Sequence, residues 1–589
     1  MFFVMFLYSF YVLFQSTFFD YMGYYLSANT AKTTAGNVTE FIVDFITSID
    51  PLYFLYFLPL VVVLLALKTK FLLLPSWKIK IKDVAVSLVV LLLLHAITIG
   101  SLYIFVNPTK TYKPIELYKK PSQAYLAVQE LGVNRFGLRD LWMVMFDNGD
   151  DPVIIDPIDP IDPDPITPSE PDLTRSVKTT EWERLLNLEE DQRIKQIDEY
   201  LLAGDLPPKN EMTGYFKDKN LVYIMVEAMD YLAIDPQLTP TLYMMQQQGW
   251  FFDNNYSVKA SCTTGESEFM GLLSLIPSVS VCTPFEYAGN DYAASIFNLF
   301  KDKGYEVSSY HSYRDQFYPR SDWHENMGSQ FYHSDHLAIE TLLGWPSDLN
   351  LFKEAYKKIS VQTEPFMSFI ITAGMHFPYD QDSTLGNRYL SEINQVMPDA
   401  NMSIKRYMSK AMDFDKGLAR LFELFEQDDL MKDTIFVLYA DHHPFRMDYS
   451  LINKHTDEYN RLEGLSIDRS PFFIYNPSLE SKTYSMPSSQ IDFLPTLANL
   501  FDLDYDPRLY MGQDLFSGQE NIIIFTNSSW KTDKGEFYAT TQKFVPYNEN
   551  DTYTIEEITN INQHVKNQFT ISEEILKTDY YQKRHSILP

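Results

Sequence analysis

Three apolar runs in this sequence end in residues that bind metals or move protons. Leu221–Val226 leads directly into Glu227, Thr434–Tyr439 into Ala440 and then Asp441, His442 and His443, and Met367–Thr372 into a short step before His376. A hard divalent cation favours carboxylate and imidazole ligands together, so such ends gathered on one edge of a sheet would make a cation site. Taken singly, each has an ordinary explanation: a carboxylate after a strand caps a helix, and an isolated histidine packs in a core. A fourth element, Ser261-Cys-Thr-Thr-Gly-Glu-Ser-Glu-Phe-Met270, puts small hydroxylated residues and a glycine before a run with helical character. Hydroxyls at a helix N-terminus meet backbone N–H groups and the positive end of the dipole, a setting that suits phosphate. The plainer explanation is an N-cap; the other three elements tip the reading toward chemistry.

Holding such groups together takes a rigid frame. From about Asn220 the pattern is α/β: Leu221–Val226, Glu306–Tyr310, Met367–Thr372, Thr434–Tyr439 and Phe472–Tyr475 are short apolar runs separated by amphipathic segments of helix length. That alternation predicts a mainly parallel sheet with helices on both faces, with ligands at the carboxyl ends of the strands. The formal net charge of −30 over 589 residues excludes a nucleic-acid partner, which needs a basic surface. It also confines any attraction to lipid headgroups to local patches. Two cysteines, Cys262 and Cys282, exclude a disulfide scaffold and a cysteine-rich zinc module, and leave open whether they pair.

Residues 1–107 read differently. Met1–Phe19, Pro51–Leu67 and Val84–Val106 are apolar and contain no Asp, Glu, Lys or Arg, which predicts about three membrane helices. Lys68, Lys70, Lys78, Lys80 and Lys82 lie between the second and third, so the positive-inside rule makes that loop cytoplasmic and puts everything after about residue 107 outside. No basic residue precedes the first run and no cleavage site comes closely after it, so the expectation is that helices upstream are missing, not that a signal peptide begins the chain. Residues 108–219 read as juxtamembrane helix over Tyr112–Phe146, an Asp/Pro-rich spacer over Asp151–Asp172 and helical spacing over Thr180–Leu202. The repeated carboxylates of the spacer fit a solvated linker better than a metal tract, because nothing closes them round an ion.

The order of these motifs resembles the lipoteichoic acid synthases of the alkaline phosphatase and sulfatase superfamily, over roughly residues 10 to 540. Asn220-Leu-Val-Tyr-Ile-Met-Val-Glu-Ala-Met229 is similar to the strand that delivers a glutamate metal ligand, and Tyr439-Ala-Asp-His442 to the Asp-His ligand pair. Thr264-Gly-Glu-Ser-Glu-Phe269 resembles the catalytic-threonine segment, which implies Thr264 as nucleophile and fourth metal ligand. His311-Ser-Tyr-Arg-Asp-Gln-Phe-Tyr-Pro-Arg320 resembles the segment that grips glycerol phosphate, implying substrate contacts from His311, Tyr318 and Arg320; His376 resembles a further substrate-contacting histidine. Tyr313 and Tyr318 stand where the family usually has an acid and a tryptophan, so the phosphate contacts are retained while those to the glycerol hydroxyls differ. Cys262 lacks the x-Pro-x-Arg sequel of a formylglycine sulfatase site.

The resemblance implies an alkaline-phosphatase-like, sulfatase-type catalytic domain over 220–540, outside the cytoplasm, with 541–589 as a C-terminal extension. It implies a multi-pass cell-membrane phosphoglycerol transferase using Mn²⁺ or Mg²⁺. Glycerol phosphate would pass from phosphatidylglycerol, through phospho-Thr264, to a lipoteichoic-acid-type polymer or glycolipid. The alternative is transfer of phosphoethanolamine or another lipid headgroup, or its hydrolysis, by the same threonine and metal.

Overall fold

The structure, a computed structural model, describes residues 2–34, 45–71, 81–104, 110–146, 174–315, 318–456 and 459–588. The spacer Asp151–Asp172 and the loop lysines Lys78 and Lys80 lie outside them. Near the N-terminus, helices span Phe2–Met22, Pro51–Lys68 (its first seven residues a 3-10 turn) and Ile81–Ile104. The first two are long and apolar enough to cross a membrane. No residue of Pro51–Lys68 is buried, so among the described residues its apolar side chains pack at most partly, as Phe57 does on Phe6 with ring centroids 5.6 Å apart.

Tyr112–Phe146 forms three helices, Pro114–Lys119, Ala124–Leu131 and Val133–Phe146, interrupted near Pro121 and Gly132. Thr180–Leu202 likewise splits, into Thr179–Leu188 and Gln192–Leu202, because Asp191 caps the second with its side chain on Arg193 N.

The strands are, in chain order, β1 (Asn220–Val226), β2 (Trp250–Phe252), β3 (Asn255–Tyr256), β4 (Glu306–His311), β5 (Gln330–Tyr332), β6 (Phe366–Ile371) and β7 (Thr434–Ala440). Next come β8 (Phe472–Tyr475), β9 (Lys482–Tyr484), β10 (Ser488–Ser489), β11 (Ile523–Ile524), β12 (Trp530–Lys531), β13 (Gly535–Tyr538) and β14 (Lys543–Pro546). Eight of them make the central sheet, ordered β5-β4-β6-β1-β7-β8-β2-β9. Only β8 runs against the rest, antiparallel to both β7 and β2. The mainly parallel α/β sheet with helices on both faces, read from the sequence from about Asn220, is therefore the fold of that part of the chain.

Side chains of β1 alternate between two cores. Leu221, Tyr223 and Met225 enter one, and Val222, Ile224 and Val226 the other, the pattern of a strand covered on both faces. The helix Thr263–Leu273 crosses the first face. Gly271 permits its close approach, since a Cβ there would meet the Tyr439 hydroxyl at 2.8 Å and that of Tyr223 at 3.0 Å. The long helix Met402–Gln427 covers the second face. Strands β11–β14 form a separate antiparallel sheet, and the helix Ile555–Thr578 packs Val565, Phe569 and Ile571 into the first core.

Candidate active site

Parallel pairing fixes the site before any side chain is considered. Val226 of β1 pairs with Ala440 of β7, and Met225 of β1 with Ile371 of β6, which in turn pairs with His311 of β4. The next residues, Glu227, Asp441 and Thr372, therefore leave the sheet side by side, with His311 at the end of the fourth strand. The frame is hydrogen-bonded across strands. Glu227 N donates to Thr372 Oγ1 at 2.9 Å, and Asp441 Oδ1 accepts from Ala228 N at 2.7 Å and His442 N at 2.8 Å.

What remains unspent defines the chemistry. Glu227 Oε1 and Asp441 Oδ2 are buried and have no hydrogen-bond partner among the described residues. His442 Nε2 lies 3.7 Å from Glu227 Oε1 and 3.2 Å from Asp441 Oδ2. Its other nitrogen, Nδ1, is 2.9 Å from the carbonyl of His443, which can only accept, so the proton is on Nδ1 and Nε2 carries a lone pair. Two orphaned carboxylate oxygens and an imidazole lone pair, all within 4.8 Å, fit a divalent cation. Burial, reinforced by Asp441 and only partly offset by Lys410, raises the Glu227 pKa well above the usual carboxylate range, the mark of acids held together with too little positive charge beside them.

Thr264 enters from the helix Thr263–Leu273, its Oγ1 3.4 Å from Glu227 Oε2. Two residues beside the site, Ala228 and Thr263, hold left-handed backbone at φ 48° and 34°, an arrangement that costs energy and persists where neighbours enforce it. The helix start is braced twice. Cys262 is bonded to Cys282, and Glu266 accepts from Cys262 N at 2.7 Å and from Thr283 N at 3.2 Å.

The other expected contacts separate into two groups. His311 and His376 share the pattern of His442: Nδ1 of each faces a backbone carbonyl, of Ile371 at 3.0 Å and Phe377 at 2.8 Å, leaving Nε2 available. Burial pushes His376 down to about 3 and His311 well below its ordinary value, so both are neutral at pH 7. Arg320 and Tyr318 are more engaged. Arg320 Nε donates to Glu268 at 2.9 Å, and the Tyr318 hydroxyl donates to the carbonyl of Cys262 at 2.9 Å, which makes Tyr318 a third brace of the threonine loop. Tyr313 stands 5.1 Å, ring to ring, from Trp345, itself 4.0 Å from His376; this wall is aromatic.

Sequence reasoning missed several participants. Glu268 also holds His324, Nε2 to Oε1 at 2.5 Å, and its only signal was its place four residues after Thr264. Lys410, in the middle of Met402–Gln427, donates to the carbonyls of His376 and Pro378 and so positions the His376 loop. The end of the first membrane-type helix also reaches the site's surroundings. Lys259 donates to Met22 O and lies 4.6 Å over the Phe445 ring, which is 5.0 Å from the ring of His442.

Residues 219–503 match the sulfatase family. The chain is 22% identical over 369 residues to lipoteichoic acid synthase 2 of Bacillus subtilis, covering 59% of this chain and 56% of that protein. It is 23% identical over 381 residues to a lipoteichoic acid synthase of Staphylococcus aureus, covering 60% and 56%. The chain thus spans little more than half the length of these relatives. The crystal structure of the lipoteichoic acid synthase LtaP from Listeria monocytogenes superposes with a TM-score of 0.53 at 18% identity, over 67% of this chain and 99% of that one, and shares the fold.

Proposed function

We propose, from the premise that residues 219–503 are a sulfatase domain with homology to lipoteichoic acid synthases, that this protein is a membrane-anchored phosphotransferase. It moves glycerol phosphate from phosphatidylglycerol to a lipoteichoic-acid-type polymer or glycolipid through a phospho-Thr264 ester. The observation that carries this reading is the meeting of three unspent ligand atoms, Glu227 Oε1, Asp441 Oδ2 and His442 Nε2, with the hydroxyl of Thr264.

Glu227, Asp441, His442 and Thr264 would hold Mn²⁺ or Mg²⁺, which when bound lowers the pKa of a ligated hydroxyl and offsets charge on phosphoryl oxygens. Glu227 Oε2 orients the Thr264 hydroxyl and is the nearest acceptor for its proton. Thr264 Oγ1 bonds to phosphorus as the bond from phosphorus to the diacylglycerol oxygen breaks, and that oxygen takes up a proton from solvent. An incoming hydroxyl then bonds to phosphorus as the bond from phosphorus to Thr264 Oγ1 breaks, with neutral His376 taking the incoming proton at Nε2 and Thr264 Oγ1 recovering its own from Glu227. His311 Nε2 and the guanidinium of Arg320 bind the phosphate. Exposed apolar helices support the membrane anchor, and the Cys262–Cys282 disulfide supports an oxidising compartment outside the cytoplasm. The aromatic wall of Tyr313 and Trp345 favours one second reading, transfer of a headgroup other than glycerol phosphate.

The test is release of labelled diacylglycerol from phosphatidylglycerol by the membrane-embedded protein with Mn²⁺. Thr264→Ala should lower it by about 10⁴-fold or more. Consumption of phosphatidylethanolamine instead would move the assignment to the second reading. If neither lipid reacts, the proposed reaction is wrong.

A further inference from the structure

We propose that the helix Val133–Phe146 lies in the membrane–water interface, with its outer stripe in the acyl boundary and neighbouring cationic side chains on anionic headgroups. Leu138, Leu141, Trp142 and Met145 recur at i, i+3, i+4 and i+7 and so share one face. They are 72%, 47%, 54% and 57% exposed. The opposite face is spent on the chain itself. Phe136 and Asp140 are buried, and Asp140 Oδ2 accepts from Ala28 N at 2.6 Å. Gly137 lies against the first membrane-type helix so closely that a Cβ would meet the Tyr11 hydroxyl at 2.0 Å. A stripe of four large apolar side chains including a tryptophan, on a helix that also carries Arg135 and Arg139, is the build of an in-plane interfacial helix.

Continuity and charge identify the occupant as lipid. The helix Phe2–Met22, on which Val133–Phe146 packs, exposes Phe3, Phe6, Leu7 and Phe10 in the same way. Residues 110–146 carry six Lys or Arg against three Asp or Glu, a local surplus of +3 in a chain of net charge −30. Lys113, Lys119, Lys120 and Arg135 of that segment are exposed. An acidic protein surface would suit the lysines and leave the stripe in water; an anionic bilayer suits both. The proposal leans on the membrane anchoring proposed above and is independent of the transfer chemistry.

Both native cysteines are bonded to each other, so one introduced cysteine is the sole free thiol for an environment-sensitive fluorophore. The full chain would be reconstituted in phosphatidylcholine vesicles with and without phosphatidylglycerol and labelled at Trp142→Cys, Leu138→Cys, Phe3→Cys or Val361→Cys. Val361 is 79% exposed and lies just before β6, at the end of the sheet away from the site, so its label should report water. Labels at 138 and 142 should be quenched by shallow spin-labelled lipid and shielded from aqueous iodide at least about threefold relative to 361, more so with phosphatidylglycerol present. Iodide reaching 142 as freely as 361 would overturn the proposal. So would shielding without lipid quenching, which would mean a protein covers the stripe. Shielding unaffected by phosphatidylglycerol would overturn the role of the lysines. Lipid failing to reach position 3 would instead strike down the membrane anchoring.

Discussion

Two clusters of buried acids in this protein are built from the same chemistry and end in opposite states. At the sheet edge, Glu227 and Asp441 each keep a carboxylate oxygen without a partner. Behind the sheet, Asp198 is buried as deeply, yet its oxygens accept from Trp182 Nε1 at 2.7 Å, the Tyr580 hydroxyl at 2.7 Å and Arg584 Nε at 3.0 Å. Arg584 is in turn bound to Glu189 at 2.8 Å. The Asp198 cluster clamps the helices Thr179–Leu188 and Gln192–Leu202 to the C-terminal residues, and nothing in it is left to bind a ligand. Burying a charge is costly unless it is paired, so an unpaired buried acid points to a missing partner and a paired one to a structural join.

The contrast can be broken or sharpened by experiment. Asp198→Ala leaves Arg584 with Glu189 alone and the Trp182 and Tyr580 donors unpaired, and should cost about 3 kcal/mol or more of stability, read by denaturant unfolding, with no change in Mn²⁺ affinity of the protein that remains folded. A loss of Mn²⁺ affinity equal to that of Glu227→Gln would erase the distinction. Lys531 lies between the extremes, 3.7 Å from Glu536 yet pushed by burial from 10.5 down to about 8. Because the unfolded chain then holds more protons between about 8 and 10.5, stability should rise with pH across that window. Lys531→Met should lack up to about 3 kcal/mol of that rise. Smallest is the effect of the ion itself. Mn²⁺ at a hundred times its Kd should add about 2.7 kcal/mol to the unfolding free energy, and chelation should remove it. Glu227→Gln should abolish that increment while making the metal-free protein no less stable, since it relieves repulsion with Asp441. A metal-free variant much weaker than the parent would mean that Glu227 is paired after all.

The strand ends were legible in sequence because a buried parallel strand is a continuous apolar run, and the first polar residue after such a run sits at the sheet edge. Glu227, Asp441 and His442 could be read that way, and the α/β frame with them. The short strands β2, β5 and β9 could not, being three residues each with no run to detect. Glu268, His324 and Lys410 were invisible for another reason. They act across 52 to 56 residues for Glu268 with Arg320 and His324, and 34 for Lys410 with His376, and nothing local distinguishes a lysine that holds a loop from one that solvates a helix. The pairing of Cys262 with Cys282 needed the geometry of two loops that only tertiary packing brings together.

One consequence of the strand register concerns size. His311, Thr372, Glu227 and Asp441 stand on four adjacent strands, β4, β6, β1 and β7. Neighbouring strands lie about 4.8 Å apart, so this row is about 14 Å wide. A single phosphate covers only part of such a width. On the reaction proposed above, the row would be broad enough for a phosphodiester and the group it carries. The departing and arriving hydroxyls would use in turn the one position opposite Thr264 Oγ1, and the rest of the row would hold what they carry.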